Sequence, residues 1–433
     1  MRRYAVALGL GAAVLPGCVA AFGPVDNSPR PQARGGGVET AALDRSVRPQ
    51  DRADRMSAAQ PARPSGFENW IREFRSRALA EGISADTFDH AFRDVRFNES
   101  VIEQDRNQSE FTRAIWQYLD SAVSDTRVRN GRAALRRHGD LLADIEARYG
   151  VEAEVVVAIW GLESSYGSFR GNTPLIEALA TLAHDGRRGA FFEQQLIAAL
   201  RIVQSGDVAP SEMTGSWAGA MGHTQFIPTS YLEHAVDFRG TGRRDIWSDD
   251  PTDALASAAS YLARHGWTEG QPWGVEVTLP RGFDHGAASG AQPVGRWQSM
   301  GVRRAGGGAL PDHGQAELFL PAGHAGPAFL TFGNFNVIKR YNNANSYAMA
   351  VGRLAHRLAG GGPIRGEWPR EDRPLTFDER SELQQRLTRK GFDTRGVDGR
   401  IGPNTLAAVR RYQAAQGLIP DGYVSLALLE RLR

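Results

Sequence analysis

The chain has 433 residues, with 51 Lys and Arg against 49 Asp and Glu, a formal charge of +2. That length admits two or three domains and a large core, while near-neutrality excludes the basic field that a nucleic-acid binder needs. Cys18 is the sole cysteine, so no disulfide framework supports the fold.

Residues 1–18 read as a targeting segment. Arg2 and Arg3 precede a short apolar stretch, Tyr4 to Leu15, that is too short to remain as a membrane-spanning helix. It ends Leu15-Pro16-Gly17-Cys18, the pattern of a bacterial lipobox, in which the cysteine becomes the lipidated first residue. An ordinary secretory signal is the alternative, and either places the protein outside the cytoplasm. Residues 19–65 are rich in Pro, Gly, Ala, Arg and Gln and read as a tether, because sparse apolar residues cannot offset ordering entropy.

Helical periodicity starts at Phe67 with Trp70, Ile71, Phe74, Ala78 and Leu79, and Gly82 ends the run. Ser84 is placed to cap a second helix through Phe88 and Phe92. Phe111, Ile115, Trp116, Tyr118 and Leu119 suggest a third, and Leu135, Leu141, Leu142 and Ile145 lead to Gly150.

Val155 to Gly167, VVVAIWGLESSYG, is the most informative stretch. Six apolar residues in a row predict a helix buried on most sides. Glu163 follows, with Ile159 and Trp160 one turn behind it on the same face. A carboxylate there is poorly solvated when charged, which raises its pKa and suits it to donate a proton near neutral pH. The alternative is a surface glutamate at a frayed helix end, which the apolar run disfavours.

Further helices are expected around Leu175–Leu182 and Phe191–Val203. Ser216 to Tyr231, SWAGAMGHTQFIPTSY, reads as an irregular loop able to bring backbone amides and Gln225 close to a ligand. Asp237 to Ser248 has the length and sixth-position glycine (Gly242) of a calcium loop. However, Arg239, Thr241 and Ser248 stand where oxygen ligands are wanted, so no metal is expected there. His184, His223, His234 and His265 show no metal-binding spacing, and no cofactor is expected. Asp253–His265 reads as a helix, and residues 272–330 as a small excursion of strands and loops. Phe332 to Tyr347 combines aromatic rings with Asn334, Asn336, Asn342 and Asn343, the groups a sugar-binding cleft uses. A linker rich in charge and proline, residues 361–374, precedes a unit of three short helices, residues 375–433. Its core is small and nothing in it looks catalytic, so it reads as a binding module.

The ordered blocks AIWGLESSYG, SWAGAMGHTQFIPTSY, DIWSDDPTDALASAASYLARHGW and VIKRYNNANSYAMAV resemble the lytic murein transglycosylase B family. The tail GFDTRGVDGRIGPNTLAAVRRYQ is similar to a peptidoglycan-binding module. The resemblance implies a mainly α, lysozyme-like catalytic domain over residues 66–360, with the strand-and-loop excursion inside it. It also implies cleavage of the β-1,4 bond between N-acetylmuramic acid and N-acetylglucosamine. By motif position Glu163 would be the single acid/base, and Ser216, Met221, Gln225, Phe226, Tyr261, Tyr341, Asn342 and Tyr347 would line the glycan cleft. The family's calcium loop is matched in position but not in ligands. The implied partners are peptidoglycan strands, a membrane through a lipid at Cys18, and other cell-wall enzymes. The implied location is the periplasm, with outer-membrane anchoring favoured because Val19 follows the cysteine. Two other readings stay open. A hydrolytic muramidase would need a second carboxylate, for which Asp185 and Asp245 are available, and a non-catalytic scaffold would need none.

Overall fold

Val155 to Gly161 are all buried inside the helix Ala153–Ser164, as expected of a helix apolar on every face. In the computed structural model, which describes residues 66–106, 113–288 and 290–433, this helix is the hub. The expected lipidation site Cys18, the tether and Phe111 lie outside the described residues. Packed around the hub are the helices Asp125–Arg137, Gly139–Tyr149, Thr252–Arg264 and Asn345–Leu358. Each large side chain removed from water here contributes about 1.5–3 kcal/mol.

A second apolar core forms around the helices Leu175–Asp185 and Gly189–Gln204, which pack on each other. The amino-terminal helices Phe67–Ala80 and Ala85–Phe92 close it, with Ser84 capping the latter through Thr87 N (3.1 Å). Glu99–Arg106 and Pro228–His234 are among the helices that escape a reading by periodicity. Glu99–Arg106 contributes only Val101 and Ile102 as apolar core residues and buries Asp105 against Arg187. Pro228–His234 begins inside the segment expected to be irregular, with Pro228 in its first turn, where the missing N–H costs nothing. Tyr261 and Tyr341 pack against both cores, and so mark the seam between them.

The excursion is a five-stranded antiparallel sheet. Its central strand, Ala328–Thr331, pairs with Gly274–Thr278 on one side and Gln315–Phe319 on the other, and Leu330 stands opposite both Val275 and Leu318. The tail module has its three helices, Phe377–Arg389, Pro403–Ala415 and Leu426–Leu432, around Leu383, Leu387, Val409 and Leu429. The segment expected as a linker is laid along the catalytic domain rather than hanging free. Arg353 donates to Gly362 O (2.8 Å), Glu276 accepts from Arg365 N and Gly366 N, Trp368 packs on Trp116, and Arg370 pairs with Asp120 (2.8 Å). Composition shows that such a segment is polar, but not that partners await it.

The root of the sheet is braced by Trp273, which sits between Phe329 and Phe335 and abuts Gly352. A Cβ at Gly352 would lie 2.3 Å from the Trp273 ring. Ala in place of a helical Gly gains about 1 kcal/mol in propensity, but overpacking a fixed neighbour costs about 1–3 kcal/mol. Gly352→Ala should therefore lower the urea midpoint of the folded protein. A raised midpoint would show that Trp273 yields.

Candidate active site

The hub helix ends abruptly, and that break creates the site. Ser165 and Tyr166 take left-handed backbone (φ 50° and 60°), a costly conformation for residues with a Cβ. The turn throws the Tyr166 ring back over Gly161, where an added Cβ would fall 2.6 Å from it, and the Tyr166 hydroxyl donates to Arg127 O (2.7 Å). Ser164 fastens the helix end to the glycine-rich loop: its hydroxyl donates to His223 O (2.6 Å) and accepts from Gly167 N (3.0 Å). Trp160 Nε1 donates to His223 Nδ1 (3.1 Å), and the other ring nitrogen of His223 contacts Ser248 O (2.7 Å). Burial lowers the His223 pKa, so the ring is a neutral strut here.

Glu163 is left half-buried at the mouth of this junction. Its Oε1 accepts from the Tyr347 hydroxyl (2.5 Å). Desolvation pushes the carboxyl up to about 7, against the opposing pull of the Tyr347 hydrogen bond. Among the described residues no second carboxylate contributes to that shift. The Glu163 charge in turn raises the pKa of Tyr118, Tyr341 and Tyr347, each already raised by burial. The acid thus sits among three neutral phenols. Tyr118, on the helix Ile115–Ala122, is expected from sequence as a helical core residue and not as a site residue. Its helical spacing with Trp116 and Leu119 makes it look like core, and only its half-exposure toward Glu163 distinguishes it.

The loop that carries Ser216 to Phe226 is folded by antiparallel bridges from Met221 to Gly215 and Phe226. Met221 is fully buried and Phe226 is 3% exposed, with the Phe226 ring against Tyr261 and Tyr341. In this structure both side chains pack into the second core behind the loop. Gln225, with φ 52°, uses its amide NH₂ on Arg170 O (3.1 Å) and Gly222 O (2.8 Å), so Oε1 is the atom left to face a ligand. Ser216 is half-buried, and its hydroxyl accepts from Ala220 N (3.0 Å). Tyr341 OH donates to Thr224 O and Tyr261 OH to Arg340 O, both at 2.6 Å. Asn342 Oδ1 accepts from Ala344 N (3.1 Å), which leaves its NH₂. Asn334 is wholly buried and bonds Thr268 and Gln271 backbone. It is a structural brace, distant in role from any sugar.

The calcium-like loop is closed by its own bonds. Asp237 accepts from Thr241 N (2.8 Å) and Gly242 N (2.6 Å), while Arg239 pairs with Asp250. Asp253 accepts from Phe238 N and Asp245 N, both at 2.9 Å. A cation would have to displace these amides with an arginine in place of a ligand, so the residues present do not fit calcium. Among the described residues no three His, Cys, Asp or Glu side chains gather as a metal site.

Residues 66–356 match the family model described as a transglycosylase SLT domain, and residues 378–432 match that of a putative peptidoglycan binding domain. The membrane-bound lytic murein transglycosylase B of Escherichia coli K12 is 34% identical over 256 residues, spanning 56% of this chain and 67% of that protein. The crystal structure of SltB3 from Pseudomonas aeruginosa, in complex with NAG-anhNAM-pentapeptide, superimposes with a TM-score of 0.82 at 54% identity, covering 85% of this chain and 99% of that one. The Escherichia coli lytic transglycosylase Slt35 in complex with calcium gives 0.57 at 30% identity, covering 72% and 98%. Both helical cores, the sheet and the Glu163 junction fall inside the matched region. The chain therefore belongs to the SLT transglycosylase family, with a lysozyme-like catalytic fold and a C-terminal peptidoglycan-binding domain, and is a peptidoglycan lytic transglycosylase.

Proposed function

We propose that Glu163 is the only acid/base of this enzyme and that cleavage leaves 1,6-anhydromuramic ends. The observation that carries this reading is a carboxyl held near pH 7 by burial, with no second carboxylate acting on it. A hydrolase of the usual kind needs two. The two candidates for that role are committed elsewhere: Asp185 pairs with Arg106 (2.7 Å), and Asp245 accepts from Trp247 N and Ser248 N.

Protonated Glu163 gives its proton to the glycosidic oxygen as the bond from muramyl C1 breaks. The substrate's own acetamido oxygen stabilises the positive charge developing at C1. The Glu163 carboxylate then takes the proton of the muramyl C6 hydroxyl, whose oxygen bonds to C1. No water is consumed and the carboxyl is restored. Tyr347 holds the carboxyl oriented through both steps, and its hydrogen bond lowers the cost of the ionised form between them. The role of positioning the acetamido falls to the Asn342 amide and to Tyr341, which feels the Glu163 charge. That SltB3 was solved with an anhydromuramyl pentapeptide supports the same product here. In the cell, a lipid on Cys18 would hold the enzyme at a membrane facing the periplasm, in keeping with the membrane-bound Escherichia coli relative.

Digestion of purified peptidoglycan should release muropeptides one water lighter than hydrolysis products. Reducing muramyl ends would instead establish a hydrolase. Glu163→Gln should lower kcat by about 10³-fold, the usual scale of general acid–base catalysis. Because the acid form starts the reaction, kcat/KM should fall as pH rises through about 7. Tyr347→Phe removes a bond that favours the carboxylate, so its alkaline limb should move to higher pH. A limb moving to lower pH would refute the role given to Tyr347.

A further inference from the structure

Between the sheet, the catalytic helices and the tail module lies a cavity of about 790 Å³. Glu163 and Tyr347 are not among its lining residues, yet the cavity and Glu163 are linked along the chain. The helix Gly333–Tyr341 presents Asn336 and Lys339 to the cavity and ends in Tyr341, and the next helix offers Asn345 to the cavity two residues before Tyr347. Arg410, Arg411 and Tyr423 of the module form the facing wall.

The charges on these walls are unbalanced. Lys339 and Arg410 have no hydrogen-bond or ion-pair partner among the described residues. Arg411 reaches only a backbone carbonyl, that of Asp393 (3.1 Å). Of the two acidic residues at the walls, Asp421 is already committed to His324, Gln413 and Tyr423 N, which leaves Glu317 against three cations. The frame is stiff. His324 N and Nδ1 both donate to Asp421 (2.9 and 2.6 Å), Gly323 abuts Tyr423 too closely for a Cβ, and the strap from Gly362 to Arg370 is bonded down.

We propose that this interdomain cavity is a subsite for the carboxylates of the peptide stems that branch from the glycan, with Lys339 and Arg410 as the recognising cations. The proposal rests on the reading that the enzyme acts on peptidoglycan. The glycan backbone offers neutral hydroxyls and amides, which the exposed Asn336 and Asn345 can bond, but unpaired cations supplied by two domains select for negative charge. A stem in the cavity would fix which muramyl residue meets Glu163 and would make the docked module part of substrate selection.

The test compares two substrates on the full chain: glycan strands bearing their stems, and the same strands stripped by an amidase. For Lys339→Met/Arg410→Gln the ratio of kcat/KM, stem-bearing over stripped, should drop about tenfold, and Lys339→Arg/Arg410→Lys should restore most of it. Binding of both strands to the Glu163→Gln chain should show the same preference and lose it in the same variant. An unchanged ratio, or an equal loss on both substrates in a variant that keeps its melting temperature, would overturn the subsite. Release of no anhydromuramyl product from either strand by the wild-type chain would overturn the enzymatic reading, and the binding preference would then decide the subsite alone.

Discussion

The rest of the molecule depends on where one carboxyl is placed, at the end of a helix that is otherwise withheld from water. A helix apolar all round must be packed on every side, and the helices around the hub supply that packing. Near Glu163 they leave one opening, where Ser165 and Tyr166 break the helix. Glu163 therefore meets protein on most sides and a cleft on the other. Its elevated pKa is a consequence of this geometry. Tyr347 moderates the effect, since its hydroxyl donates to the carboxylate and steadies the ionised form.

The loop 216–226 and the three phenols follow from the same constraint. A carboxyl with the proposed role, giving a proton and taking one back, would need a fixed position and a neutral, largely dry surrounding. Ser164 and Trp160 fix it through His223, while Tyr118, Tyr341 and Tyr347 surround it without adding charge. Residues such as Met221 and Phe226 serve that position from behind the wall. The tail module is likewise held to the catalytic domain by named bonds: Asp421 on His324 at one end, and the Glu276 and Trp116 contacts of the strap at the other.

The buried helix, its carboxylate, the amphipathic helices and the small tail unit were all legible as patterns, because periodicity reports burial before any contact is known. The helix Glu99–Arg106 was not, since two apolar residues in eight carry no period; it docks through Val101 and Ile102 in the second core and through Arg187 reaching the buried Asp105. Tyr118 was filed with the core for a related reason: at single-residue scale, an aromatic at helical spacing looks the same whether it faces a core or a cleft. The direction of Gln225, whose NH₂ turns inward to Arg170 and Gly222, is invisible to composition altogether.

By itself the sequence determined that the chain would bury the segment before Glu163 and that a carboxyl at that helix end would be poorly solvated. Those properties belong to residue types and their spacing along one helix. Only the tertiary structure decided which tyrosine holds the acid, which loop residues face the cleft, and that the strap is pinned rather than loose. Each of these is a meeting between residues far apart in the chain, Glu163 with Tyr347, Ser164 with His223, His324 with Asp421. Such meetings are set by how two cores and a sheet close around the hub, which no local pattern encodes.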